Sequence, residues 1–217
     1  MGRPRIGSDV LRRLPGLLVG LILFGFGIAL MAEAGLGLGP WEAFHQGLGR
    51  LTGHEIGTIS VLLGIPILLL WWPLGERPGI GTLLNVVLIG TATNVGIALL
   101  PTAVGVGIQL AMMLAGLVTI GIGSGLYLAA DLGAGPRDGL MTGLHHRFGW
   151  SIRRARTVVE VTVLVLGWLL GGTIGLGTLA FAFGIGPLVQ VFLGVFDRTG
   201  RSDRRPLDHD ALAAAPE

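Results

Sequence analysis

The chain has 217 residues, of which 51% are hydrophobic and only 13% charged, with a formal net charge of +2. Its mean hydropathy is +0.75. A soluble domain carries about 25% charged residues, so this chain lacks the polar surface for a water-exposed globule and is read as solvated by lipid. All 15 basic residues are Arg and there is no Cys, which excludes disulfides and thiolate metal sites. The Arg residues collect at the chain ends and in one loop, so the high pI reports membrane topology and nucleic acid is not an expected partner.

The first apolar run, about 14–35, follows Arg12 and Arg13 and ends near Ala32-Glu33-Ala34. That order loosely imitates a secretory signal with its cleavage site. The run is too long for an ordinary signal core, and it belongs to a repeat, so it is read as the first membrane span. Residues 1–13 are expected to form a cytoplasmic N-terminus.

The chain matches itself at a constant offset of 96 residues. Gly37-Leu38-Gly39-Pro40 falls on Gly133-Ala134-Gly135-Pro136, Gly79-Ile80-Gly81-Thr82-Leu83 on Gly175-Leu176-Gly177-Thr178-Leu179, and Trp72 on Trp168. About a third of the aligned positions between 16 and 94 are identical. Shared apolar composition does not align Gly-x-Gly-Pro and Gly-x-Gly-Thr-Leu at one offset, so the chain is duplicated. Repeat 1 is assigned to 14–101 and repeat 2 to 108–197, followed by a disordered cytoplasmic tail over 198–217.

Each repeat reads alike: a first span (14–35; 108–131), a Gly-x-Gly-Pro turn, a short polar-spotted helix (41–51; 137–147), a second span (57–73; 155–171), a Gly-x-Gly-Thr turn and a third span (81–100; 177–196). The short helices cover about 16 Å at about 1.5 Å per residue, too little to cross alone. They are expected to be re-entrant or interfacial. Three crossings per repeat turn the second copy upside down, so the fold expected is an all-α membrane protein with six transmembrane helices in two inverted three-helix repeats. With both termini cytoplasmic, only Arg50 lies outside, in keeping with the positive-inside rule. If the short helices crossed, the halves would be parallel, and the loop at 75–79 would separate the two arrangements.

The Gly-x-Gly-Pro turns carry the candidate chemistry. Pro40 and Pro136 suit a first helical position, and Gly37, Gly39, Gly133 and Gly135 permit a tight turn and close backbone approach. Glu42 and Asp138 occupy equivalent places in the first helical turn, where they complement the helix dipole or form a coupling-ion or proton site. Arg137 stands where the first copy has Trp41, an asymmetry that would give one half an anion clamp, with local pairing to Asp138 or to headgroups as the simpler role. His45, Asn94 and Gln190 complete the proposed substrate lining; Asn94 and Gln190 are equivalent, and hydrogen bonding between helices is their default role. Glu33 and Asp131 mark a water boundary, Glu160 suits an ion pair with Arg156 one turn earlier, and Asn85 suits an interhelical bond. No metal spacing links His45, His54, His145 and His146, and no nucleotide or hydrolase motif occurs, so no enzyme, metal or cofactor is expected.

The segments GLGLGPWEAFHQGL, RPGIGTLLNVVLIG, GAGPRDGLMTGL and GGTIGLGTLAFAFGIGPLVQVFL together resemble the YczE-like membrane proteins of bacteria, related to the YyaS/YitT group. The resemblance covers nearly all of 14–197 and implies a multi-spanning protein of the bacterial plasma membrane. It carries over no catalytic or ligand residues. One member group is associated with production of non-ribosomal or polyketide antibiotics, which implies export or support of a biosynthetic pathway. The expected function is a small-molecule transporter with its site between the repeats. Its rival is a scaffold that uses the Arg-rich segment 147–156 to hold a cytoplasmic partner or anionic lipid. The expected partners are the lipid bilayer and a small molecule, with a homodimer allowed.

Overall fold

The computed structural model describes residues 6–197, and the regular structure among them is entirely helical. The tail from 198 and the first five residues lie outside the described residues. Eight helices follow in order: α1 (Ile6–Ala34), α2 (Pro40–Thr52), α3 (Ile56–Leu74), α4 (Ile80–Leu99), α5 (Val106–Ala130), α6 (Pro136–Phe148), α7 (Ile152–Leu169) and α8 (Leu176–Phe196). The starts of α2, α3 and α4 recur 96 residues later as those of α6, α7 and α8.

Of these helices α1, α3, α4, α5 and α8 are long and apolar enough to cross a membrane. The expected sixth, α7, falls short. Its 18 residues include Arg153, Arg154, Arg156 and Glu160, and ionised side chains are costly in the hydrocarbon core. The first helix also starts earlier than its apolar run, at Ile6, so Arg12, Arg13 and Pro15 lie inside it. Arginine at the end of a span can reach out to the headgroups, so the helix need not stop there.

The core is the pair α1 and α5. Leu17, Leu21, Ile28 and Met31 of α1 are buried against Leu117, Ile120 and Tyr127 of α5. Glycines set the separation. A Cβ on Gly20 would lie 2.7 Å from the Tyr127 nitrogen, and one on Gly27 2.8 Å from the Gly116 carbonyl oxygen. Residue numbers rise along one helix as they fall along the other, so α1 and α5 run antiparallel. In lipid the apolar side chains gain nothing by leaving the solvent, and such close backbone contact supplies the packing attraction. Each core helix carries the last helix of its own repeat: Gly25 meets the Ile89 carbonyl of α4, and Gly121 meets Leu188 of α8.

The two repeats exchange their signature turns. Gly177 N–H donates to the Leu36 carbonyl at 2.8 Å, and Leu38 N–H to the Thr173 carbonyl at 3.1 Å. The reciprocal turn holds Gly81 N–H on the Leu132 carbonyl at 2.9 Å and Thr82 Oγ1 on the Ala134 carbonyl at 2.7 Å. Gly37 (φ 115°) and Gly133 (φ 138°) take left-handed backbone here, and a Cβ on either would strike the opposing Gly-x-Gly-Thr turn. Thr82 and Thr178 also accept from the N–H of Gly79 and Gly175, completing the first turns of α4 and α8.

The short helices cross over in the same way. On α2, Ala43 and Phe44 pack on Gly167 of α7, and Gln46 accepts from Thr173 N–H at 2.7 Å. On α6, Gly139 makes room for the Trp71 ring of α3, whose Nε1 donates to the Pro136 carbonyl at 3.1 Å. Large and small residues have traded places between the halves: Trp71 faces Gly139, while its counterpart Gly167 faces Ala43.

Candidate functional site

Both Gly-x-Gly-Pro helix starts open on one cavity of about 360 Å³, to which all eight helices contribute. Pro40 and Pro136 are the first residues of α2 and α6, with Gly39 and Gly135 extended before them. A proline there sacrifices no helical hydrogen bond, and its fixed φ starts the helix at a defined point. Both first turns therefore present free N–H groups to the same space.

Arg137 joins the two starts. Its Nη2 donates to Glu42 Oε1 at 2.5 Å, and its guanidinium lies 5.1 Å from the centre of the Trp41 ring. Local pairing with Asp138 or headgroups was the sequence expectation; the reciprocal docking of α2 and α6 instead brings Arg137 onto the other repeat. The Glu42 side chain is only 3% exposed, and that of Arg137 26%. A carboxylate so enclosed requires a partner, and it gains both the guanidinium and the positive end of α2. Its Oε2 and the Trp41 Nε1 are buried with no hydrogen-bond partner among the described residues.

Asp138, the counterpart of Glu42, has a different environment. Its Oδ2 accepts from the Tyr127 hydroxyl at 3.0 Å. No cationic side chain among the described residues pairs with it. The residue equivalent to Arg137 in repeat 1 is Trp41, which carries no charge to offer Asp138. The site thus has one neutralised carboxylate and one carboxylate open to the cavity.

The other sequence candidates divide. Pro40, Trp41, His45, Gly135, Pro136, Arg137, Asp138 and Gln190 line the cavity. Glu42 stands behind Arg137, and Gly39 lies against Glu42 and Phe181. Gly37 and Gly133 belong to the docked turns and serve packing. Asn94 is not in the cavity. Its Oδ1 accepts from Gly57 N–H at 2.8 Å and its Nδ2 donates to Thr58 Oγ1 at 2.9 Å, tying α4 to α3. That is the interhelical bond expected by default. Glu160 pairs with Arg156 at 3.0 Å, and this pair also lines the cavity.

Tyr127, Ser60 and Ser124 were not singled out from the sequence, yet all three line the cavity, as does Asn85. Tyr127 is the only tyrosine of the chain, and a lone phenol near the end of an apolar span was the available signal. Its ring packs edge-on against Phe24 at 6.4 Å between centroids. Among the described residues no cluster of His, Asp and Glu is arranged to hold a metal ion.

Comparison with known proteins places these features in context. The family DUF6198, a family of unknown function, matches residues 11–194. An uncharacterized protein of Haemophilus influenzae is 41% identical over 182 residues, covering 84% of each chain. The membrane protein YczE of Bacillus subtilis is 37% identical over 177 residues, covering 80% of this chain and 82% of its own. YyaS of the same organism is 27% identical over 191 residues, covering 86% and 95%. No solved structure matches the chain.

Proposed function

We propose, for this chain that belongs to the DUF6198 family and is a YczE-like membrane protein, that it is a permease for a small molecule. Its site is the cavity between two inverted repeats. The carrying observation is that cavity: it receives one broken, polar helix start from each repeat, joined by Arg137 and Glu42. Inverted repeats with interrupted helices around a central site are a recurring plan of secondary transporters. The antiparallel course of α1 and α5 supports the inverted arrangement, because two such helices crossing one bilayer point opposite ways. The six-span reading needs α7 to cross as well, with Arg156 and Glu160 satisfied by each other and by the cavity. The α2 and α6 helices then enter from opposite faces without crossing.

Purified protein in liposomes should transport a panel of amphiphilic and polar solutes with at least one saturable flux. The double variant Glu42→Gln/Asp138→Asn should lose at least tenfold of that flux while it still unfolds in one cooperative transition in detergent. Unchanged flux in a folded double variant removes both carboxylates from the mechanism. An absence of flux for every solute, with a cytoplasmic partner lost on Arg153→Ala/Arg154→Ala, favours a scaffold instead.

A further inference from the structure

The two repeats differ in how their second and third spans pack. In repeat 1, α3 and α4 are closed on each other. A Cβ on Gly57 would lie 1.9 Å from the Gly90 carbonyl oxygen, and one on Gly64 2.5 Å from Val86 Cγ1. The Asn94 amide locks the contact through Gly57 and Thr58. In repeat 2 the equivalent helices α7 and α8 stay apart. Arg153 replaces Gly57, Glu160 replaces Gly64, and Gln190 replaces Asn94. Gly186 stands where Gly90 does, and a Cβ there would meet nothing within 4 Å. Side chains of that length on α7 prevent the close crossing that two glycines permit in α3, so the seam cannot close as its counterpart does.

The α7–α8 seam borders the cavity. Arg156 and Glu160 on its α7 side, and Gly186, Val189 and Gln190 on its α8 side, all line the cavity. Outward, α8 presents exposed apolar side chains, Phe183 at 79% and Val191 at 61%, which is the surface of a helix facing acyl chains.

We infer that the α7–α8 seam is a lateral portal through which a cationic amphiphile passes from the bilayer to Asp138. This rests on the site proposed above and names its ligand class. A solute that arrives between two lipid-facing helices is one already dissolved in the bilayer. The cavity suits such a molecule, since Phe24, Ile89, Phe181, Ile185 and Val189 supply apolar wall. The charge of the head follows from pairing. Arg137 is matched by Glu42 and Arg156 by Glu160, while among the described residues Asp138 has no cationic side chain, only the Tyr127 hydroxyl and the start of α6. An ammonium group supplies the missing cation, and the rings of Tyr127 and Phe24 line the same cavity, a lining that tolerates a positive head.

The test uses the full chain in lipid nanodiscs and equilibrium binding of radiolabelled tetraphenylphosphonium, with empty nanodiscs subtracted. Saturable binding is expected, competed by dodecyltrimethylammonium and not by dodecyl sulfate. Asp138→Asn, which keeps the acceptor for Tyr127, should weaken it at least tenfold. Filling the seam with Gln190→Trp, or with Gly186→Leu as a second variant, should slow association at least tenfold. Wild-type binding by Asp138→Asn, or competition by dodecyl sulfate alone, overturns the ligand class. Wild-type association in both filled variants overturns the portal. Cross-linking of two copies through Gln190→Cys at full yield also overturns it, assigning the seam to a dimer. Binding without flux in liposomes would sink the permease reading and leave the portal standing; flux of other solutes without tetraphenylphosphonium binding would do the reverse.

Discussion

At the scale of the residue, the molecule turns on the position where the repeats disagree. Trp41 and Arg137 are equivalent by sequence, but only Arg137 has a charge to bring to the carboxylate of the other half. Glu42 is thereby ion-paired, while Asp138 has no cationic side chain among the described residues. The pair is nearly enclosed on the Glu42 side, so losing its arginine strands a buried charge. Arg137→Ala should lower stability by on the order of 3 kcal/mol. Adding Glu42→Gln to it should restore part of that loss, since the double variant no longer buries an unpaired charge. Chemical unfolding in detergent measures both, and additive losses would mean that the two side chains do not act as a pair. Sequence alone could not place this contact. Arg137 and Asp138 are neighbours in the chain, whereas Glu42 is 95 residues away and meets Arg137 only because α2 and α6 both start at the same cavity.

Among the elements, the contrast between α3 and α7 is the informative one. Both occupy the same place in their repeats, yet one has no charged residue and the other opens with three arginines. Glycine explains the tight crossing of α3 on α4. Gly57→Ala should cost about 2 kcal/mol, because backbone rather than a flexible side chain stands in the way. Gly186→Ala, at the equivalent place on α8, should change stability by no more than about 1 kcal/mol. Thermal unfolding of the two variants side by side checks the difference, and equal losses would mean that the α7–α8 seam is as tightly packed as its counterpart. Helix positions were legible in the sequence because glycine and proline punctuate them at one offset. Gly-x-Gly-Pro and Gly-x-Gly-Thr mark where α2, α4, α6 and α8 begin. The role of individual glycines was less legible. Gly20, Gly121 and Gly125 pack tightly, as small-residue spacing suggests, but Gly16 meets nothing within 4 Å. Spacing says that a helix face is small; only the neighbour decides whether the smallness is used.

For the whole molecule, the proposed inverted arrangement makes a topological demand. The chain has no cysteine, so single cysteines can be introduced without background. Thr52→Cys, at the exposed end of α2, and His146→Cys, at the exposed end of α6, should react with an impermeant maleimide from opposite sides of the membrane. Arg77→Cys in the loop between α3 and α4 should share the side of His146→Cys. Labelling of Thr52→Cys and His146→Cys from the same side would mean parallel repeats. The docked turns have a further consequence, for synthesis. Leu36 leaves the ribosome long before Gly177, yet their backbone groups bond to each other. Until the last helix is threaded, the first turn must borrow its hydrogen bonds from water or from the insertion machinery. The early half of the nascent chain is therefore a dependent fragment, and a ribosome that stalls after repeat 1 releases a piece with an unsatisfied strip of peptide groups, a natural mark for quality-control proteolysis.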